Sequence, residues 1–268
     1  MLTPTRPVSP VVRLQGWRAI AARLALALTL AVTAFAPAAC ADPNVLWNIV
    51  HGQCAPGEAA KGDPSPCLAV DLAAGYAVLK DRSGATQVLV IPTAKVTGIE
   101  DGAVVAAGAP NYFRYAWGAR RYVQAMAGEI IPRDELSLAV NSMYGRSQNQ
   151  LHIHVDCIRA DVRATLKADL DHIGPAWAPI DVGVSGRHYE AMRLSGDDLG
   201  ERNPFDLLAK GDPAARADMG LETLLVAPVT FTDGSTGFIL IADRASAGDA
   251  ASAEELQDHD CAVLKAGG

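Results

Sequence analysis

The chain has no Gly-x-x-x-x-Gly-Lys-Ser/Thr loop, no Gly-x-Ser-x-Gly elbow and no Gly-x-Gly-x-x-Gly turn. Phosphate-loop nucleotide chemistry, serine hydrolysis on a strained elbow and dinucleotide binding each require one of these, so none is expected. Cys-x-x-Cys and His-x-x-x-His pairs are also missing, and with them the clusters that complete a tetrahedral zinc site. Positive charge is in short supply. With 23 Lys and Arg against 30 Asp and Glu the formal charge is −7, which argues against nucleic acid as a partner. No repeat or low-complexity linker follows the N-terminal segment. At 268 residues, 50% hydrophobic and 20% charged, the chain can bury a full core.

Residues 1–41 lack any acid and carry Arg6, Arg13, Arg18 and Arg23, so without them the charge is −11 and an anionic substrate needs a local basic cluster. The apolar run Leu24 to Ala36 follows the arginines, and Pro37-Ala38-Ala39-Cys40-Ala41 follows the run. That is the order of a secretory signal. Its thirteen residues fall short of the ~20 of a membrane span, although extension to Ala41 approaches one. Residues 1–41 are therefore expected to be a signal peptide or an N-terminal membrane anchor, with 42–268 as the functional domain outside the cytoplasm. Lipid attachment at Cys40 is a third option, opposed by Pro37.

Export changes how the cysteines read. Cys54, Cys67, Cys157 and Cys261 form an even set for an oxidising compartment, and four cysteines allow three pairings. The preferred one joins Cys54 to Cys67 around a Pro/Gly-rich loop and Cys157 to Cys261 near the C-terminus. Free buried thiols are the alternative.

Asp42-Pro43 opens a short helix over Asn44 to His51, and Gln53 to Pro66 reads as loop. Gly75 to Lys80 and Thr86 to Ile91 form a hairpin around Asp81-Arg82-Ser83-Gly84, with Pro92 ending it. Asn111 to Ile130 has helical spacing, with Gly128 near its end. Leu136 to Asn141 is a strand, and Asp161 caps a helix reaching about Ile173. Thr223 to Phe231 and Gly237 to Ala242 make another hairpin around Asp233-Gly234-Ser235. Ser252-Ala253-Glu254-Glu255 reads as a capping box opening a last helix with His259 and Cys261. Hairpins and helices in this order predict an α+β fold with a largely antiparallel sheet, flanking helices and an appended C-terminal hairpin and helix.

The turn Ser142-Met143-Tyr144-Gly145 leads from the strand Leu136 to Asn141 into the richest stretch, Gly145 to Cys157, which reads as the partner strand of a second hairpin. That stretch holds two of the six histidines, two residues apart. Side chains alternate along a strand, so Leu151, Ile153 and Val155 share one face, and Gln150, His152, His154 and Asp156 the other. Cys157 then faces away from the histidines, which weakens a zinc site of His152, His154 and Cys157. The plain alternative is a hydrogen-bonded or solvated His pair. Gly145, Ser147, Asn149 and Gln150, with Asn141 before them, are small neutral donors suited to phosphate oxygens. A neutral imidazole can attack phosphorus from one ring nitrogen while the other donates to a carbonyl. A second imidazole alongside can bind a phosphate oxygen or protonate a leaving group.

Gly145-Arg146-Ser147 followed by Gln150-x-His152-x-His154 resembles the histidine-triad superfamily of nucleotide hydrolases and transferases, whose strand motif is His-x-His-x-His. Gln150 stands where the first histidine is expected, His152 at the nucleophile and His154 at the third; an offset match would make His154 the attacker. The chain is more closely similar to the bacterial CDP-diacylglycerol pyrophosphatase family. The likeness lies in Leu46-Trp47-x-Ile49-Val50-His51, Val78-Leu79-Lys80-Asp81-Arg82, Gly145-Arg146-x-Gln148-Asn149, His152-Ile153-His154 and Gln257-Asp258-His259. The resemblance implies an enzyme with a histidine-triad-like sheet that hydrolyses CDP-diacylglycerol to CMP and phosphatidate at a membrane surface, without metal or other cofactor.

On that reading His152 attacks, with His154, Ser147, Asn141 and Gln150 holding phosphate oxygens or orienting the site. Lys80, Arg82 and Arg146 are set against the pyrophosphate charge, although each also reads as ordinary surface. A soluble CDP-alcohol or dinucleotide is the alternative substrate, and a periplasmic metal- or ligand-binding module the alternative function. Arg187-His188-Tyr189 with Arg193 reads as either a lipid-headgroup cluster or solvated loop. Trp47 and Trp117 read as core, and His51 and His259 as structural.

Overall fold

In this computed structural model, residues 42–184 and 187–265 are described; the N-terminal signal or anchor expected from the sequence lies outside them. The strands are β1 (Ala69–Asp71), β2 (Tyr76–Lys80), β3 (Val88–Pro92), β4 (Leu136–Val140), β5 (Ile153–Ile158), β6 (Ala178–Ile180), β7 (Tyr189–Ser195), β8 (Glu222–Thr230), β9 (Thr236–Arg244) and β10 (Gln257–Asp258). They form one antiparallel sheet in the order β1-β2-β3-β5-β4-β8-β9-β7-β6, with β10 also on β5. The fold is α+β. Beta β3 ends its pairing at Val88 opposite Val155, and β10 continues the same edge opposite Cys157 and Ile158. The C-terminal segment thus enters the sheet beside the histidine strand.

Two-residue alternation decides what each face buries. On one face Val78, Val88, Val90, Leu138, Val140, Ile153, Val155, Leu224, Val226, Phe238 and Leu240 join a single large core. The helix α3 (Tyr112–Ala127) lies on it, burying Tyr112, Phe113, Ala116, Trp117, Ala119 and Val123 at helical spacing. The side chain of Asn111 accepts from the Arg114 N–H at 3.1 Å, and Gly128 ends the helix in the left-handed conformation at φ 75°. This stops it short of the expected Ile130.

The opposite face is divided. Ala77, Leu79, Leu89 and Ile91 build one apolar cluster with Leu46, Val50, Cys54 and Cys67. Ala139, Ile158, Leu225, Ala227, Ile239 and Ile241 build another with Val162, Leu166 and Leu170 of α4 (Ala160–Asp169) and its continuation. Between the two, Gln87, Ser137, Asn141, His152, His154 and Asp156 are polar and buried. A polar gap on an otherwise apolar sheet face is the feature that positions the site.

Several expectations need correction. The segment Gln53 to Pro66 is largely helical: α1 (Val45–Ile49) runs through a π turn at Val50–Cys54 into α2 (Ala55–Lys61), ended by Gly62 at φ 66°. The alanines and the Cys54–Cys67 link favour helix where Pro and Gly suggested loop. Helix α4 starts at Ala160, and Asp161 sits in its first turn held by Arg159 at 2.6 Å instead of capping it. Strands β6 and β7 and the helices α5 (Pro204–Gly211) and α6 (Pro213–Ala217) fall in the stretch where sequence periodicity is weak. Ser252 opens only a 3-10 turn, Ala253–Leu256; its hydroxyl bonds Asn141 rather than its own turn. Trp117 is buried, but Trp47 is half-buried, stacked on His51 with ring centroids 4.2 Å apart.

Candidate active site

His152 and His154 lie side by side in the polar gap, their ring centroids 4.9 Å apart and both almost wholly buried. Strand alternation puts them on one face, and the pairing of Leu89 with His154 and of Ala139 with His154 flanks them with small or apolar neighbours. The Nδ1 of His152 lies 2.7 Å from the main-chain carbonyl of Gln150. A carbonyl only accepts, so the hydrogen sits on Nδ1 and Nε2 keeps its lone pair. Burial pushes His152 below the ordinary imidazole range, so it is neutral near pH 7.

The hydrogen of His154 is placed the other way. Its Nδ1 is 3.0 Å from the amide nitrogen of Gln87, which also reaches a carboxylate oxygen of Glu254 at 3.4 Å. Turning the Gln87 amide over would aim its oxygen at that carboxylate, so the nitrogen faces both. In that orientation His154 Nδ1 accepts from Gln87 and the hydrogen falls to Nε2; the same Nδ1 also lies 3.4 Å from Glu254 Oε1. Among the described residues that Nε2 is buried without a partner. Burial and the neighbouring His152 hold His154 down at about 4.

A third layer comes from the C-terminus. Glu254 accepts from Asn141 Nδ2 at 3.0 Å, and its main-chain N–H donates to Asn141 Oδ1 at 3.2 Å. His259 lies with Nδ1 2.9 Å from Asp156 and Nε2 3.4 Å from Glu254. Despite desolvation, hydrogen bonds to His259, Asn141 and Gln87 and the adjacent His154 hold Glu254 at about 2. Asp156 and Glu254 raise His259 to about 10. Two glycines let this segment approach. A Cβ on Gly84 would meet His259 at 2.7 Å, and one on Gly145 would meet the Ala251 carbonyl at 2.7 Å.

The histidines open into a cavity of about 470 Å³ with two unlike walls. Asn141, Ser147, Gln148 and Glu254 make the polar one, and Leu46, Ile49, Pro66, Leu79 and Leu89, with Val45 at the rim, the apolar one. Of the residues set against phosphate, Asn141, Ser147, Lys80, Arg82 and Arg146 line it. Gln150 does not. Its fully buried amide donates to the carbonyls of Pro92 and Ala94 at 3.0 and 2.8 Å and accepts from the Val96 N–H at 3.4 Å, so it fastens a loop. Arg146 is forked onto Glu100, with one contact at 2.6 Å, which neutralises its charge. Lys80 has carbonyl partners on Asp81 and Gly84 at 2.6 and 3.0 Å, and no carboxylate ion pair among the described residues. Arg82 is exposed at the rim.

Cys157 is bonded to Cys261 and Cys54 to Cys67, the pairing preferred from the sequence, and Cys157 faces the large core. Arg187 is no free headgroup binder. It is enclosed by Asp243, Asp249 and Glu255, and Tyr189 donates to Glu255 at 2.6 Å. Sequence reasoning missed Gln87 and Glu254 as site residues and read His259 as structural. His259 stands in a segment shared with the resembling family, and that is the signal that could have pointed to it.

Two neutral imidazoles lining a half-polar cavity can serve an enzyme that makes and breaks bonds at phosphorus. Residues 41–265 match the family model described as CDP-diacylglycerol pyrophosphatase. A relative from Yersinia pestis, named CDP-diacylglycerol pyrophosphatase, is 39% identical over 250 residues, covering 92% of this chain and 95% of that protein. The chain belongs to the CDP-diacylglycerol pyrophosphatase family.

Proposed function

We propose that this protein hydrolyses the pyrophosphate bond of CDP-diacylglycerol to CMP and phosphatidate, with His152 as nucleophile. The family supports the reaction. The observation that carries the nucleophile is the 2.7 Å contact from His152 Nδ1 to the Gln150 carbonyl, which leaves Nε2 as a bare lone pair at the cavity. Nε2 attacks the phosphorus bearing cytidine, a nitrogen–phosphorus bond forms, and the bridging oxygen departs with phosphatidate. The carbonyl of Gln150 then stabilises the charge left on the ring. Water attacks the cytidylyl-histidine, the nitrogen–phosphorus bond breaks, and CMP leaves with one proton released.

His154 donates its Nε2 hydrogen to the phosphate oxygen whose charge grows. Lys80 supplies positive charge from the cavity wall, Ser147 donates at the rim, and Asn141 has one amide hydrogen left after Glu254. Val45, Leu46 and Ile49 receive the glycerol and first methylenes of the lipid, whose chains stay in the membrane surface. The protein works outside the cytoplasm, tethered by or released from residues 1–41; the two disulfides support that compartment. Among the described residues no helix is long and apolar enough to cross a membrane.

The test is mass analysis of enzyme quenched during turnover of CDP-diacylglycerol. A cytidylyl adduct on His152 is expected, and His152→Ala is expected to lose both adduct and CMP release. An adduct on His154, or turnover by His152→Ala, would remove the assignment.

A further inference from the structure

We propose that His259, held by Asp156, is a positioning residue of the active site. Through Glu254 and Gln87 it fixes the hydrogen of His154 on the nitrogen that faces the substrate. The inference rests on the reading in which His154 donates to phosphate.

The contacts form an unbroken sequence. Thr86 donates to Asp156 Oδ1 at 2.8 Å, and Asp156 Oδ2 accepts from His259 Nδ1 at 2.9 Å. His259 Nε2 faces Glu254 Oε1 at 3.4 Å, and the same oxygen accepts from Gln87 Nε2 at 3.4 Å. Gln87 Nε2 then meets His154 Nδ1 at 3.0 Å. An ionised Glu254 only accepts, so it draws the amide hydrogens of Gln87 toward itself and His154. A protonated Glu254 would itself donate and release the Gln87 amide to turn over. His154 would then carry its hydrogen on Nδ1 and present a lone pair, not a donor, to a phosphate oxygen.

The cation that keeps Glu254 ionised is His259. Near pH 7 the other groups facing Glu254, which are His154, Asn141 and Gln87, are uncharged, His154 turning positive only in acid toward about 4, and Asp81 lies 3.9 Å from His154 Nδ1 and adds negative charge. Lys80 and Arg146 line the same cavity, but their polar contacts go to main-chain carbonyls and to Glu100. Asp156, buried with no exposed surface, gives His259 a fixed partner and a reason to remain protonated. The segment is seated by the Cys157–Cys261 bond and by the bare Cα of Gly84 against His259.

The experiment uses full-length protein with ¹⁵N-labelled histidine, His154 being assigned by its loss in His154→Asn. The wild type is expected to show a protonated Nε2 and an acceptor Nδ1 at His154. In His259→Asn the two signals move toward each other, kcat for CDP-diacylglycerol falls by about 10- to 100-fold with little change in KM, and the acid limb of kcat/KM shifts upward. Melting and disulfide mass establish that the variant is folded. Gln87→Leu cuts the sequence of contacts closer to His154, and in that background His259→Asn should have no further effect on kcat. An unchanged His154 spectrum in folded His259→Asn, or fully additive losses in the double variant, overturns the inference. Expected spectra together with full turnover by His154→Ala would sustain the relay and remove the donor role instead.

Discussion

His152 and His154 carry their ring hydrogens on opposite nitrogens. One gives Nδ1–H to a carbonyl 2.7 Å away, and the other receives an amide hydrogen at Nδ1 over 3.0 Å. Neighbours on one side of the sheet, both lining one cavity, thereby differ in what their second ring nitrogen can offer. Neither role follows from being a histidine; each follows from what lies behind the ring.

Gln150 should matter to stability more than to chemistry. Its amide makes three buried contacts to the loop at Pro92, Ala94 and Val96, while the group touching His152 is its main-chain carbonyl. Gln150→Leu is expected to cost about 1–3 kcal/mol in denaturant melts by leaving those partners unpaired. The adduct on His152 should still form below the melting range; its disappearance there would restore a direct role in the site.

Ile49 is half-buried on the apolar wall. Ile49→Asp should raise KM for CDP-diacylglycerol by about 10- to 100-fold, in line with ~1.5–3 kcal/mol for burying such a side chain. A water-soluble CDP ester should be hydrolysed as by the wild type. Equal losses on both would show that the wall holds no lipid.

Acid should be tolerated by the chemistry further than an ordinary histidine enzyme allows. Burial lowers both imidazoles, His154 to about 4, so the neutral forms persist as pH drops below 6.5 and kcat/KM should keep its plateau there. Stability moves otherwise. The unfolded chain takes up protons below about 6.5 that the native imidazoles refuse, so these groups remove stability as pH falls from 6.5 toward 4. His259, raised to about 10, contributes stability that is full below about 6.5 and is lost as pH rises toward 10. Chemical denaturation at a series of pH values should show the wild-type advantage over His259→Asn shrinking across that alkaline window.

The two disulfides should differ in what they protect. Cys157–Cys261 spans 104 residues and pins the segment bearing Glu254 and His259, whereas Cys54–Cys67 spans 13 beside the apolar wall. Replacing Cys157 and Cys261 together by Ala should lower stability by about 2–5 kcal/mol and depress kcat. Replacing Cys54 and Cys67 should act mainly on KM for the lipid. The reverse pattern would place the site's support at the N-terminal helices.

Short-range pattern accounts for the local features of this protein. The period of two put His152, His154 and Asp156 on one face and Cys157 on the other, Asn111 and Gly128 bounded the long helix, and Asp233-Gly234-Ser235 placed a hairpin. Each is set by neighbours a few residues apart, where backbone geometry and side-chain type suffice. Even the resemblance worked through short runs of this kind. Which groups stand behind the histidines depends on long-range packing. Gln87 is 67 residues from His154 and Glu254 is 113 from Asn141. Such contacts arise because β10 adds to β5 beyond the end of β3, a pairing across some 100 residues that no local pattern encodes. The same placement turned Gln150 away from the cavity, tied Arg146 to Glu100, and made an apparently structural His259 a partner of the site.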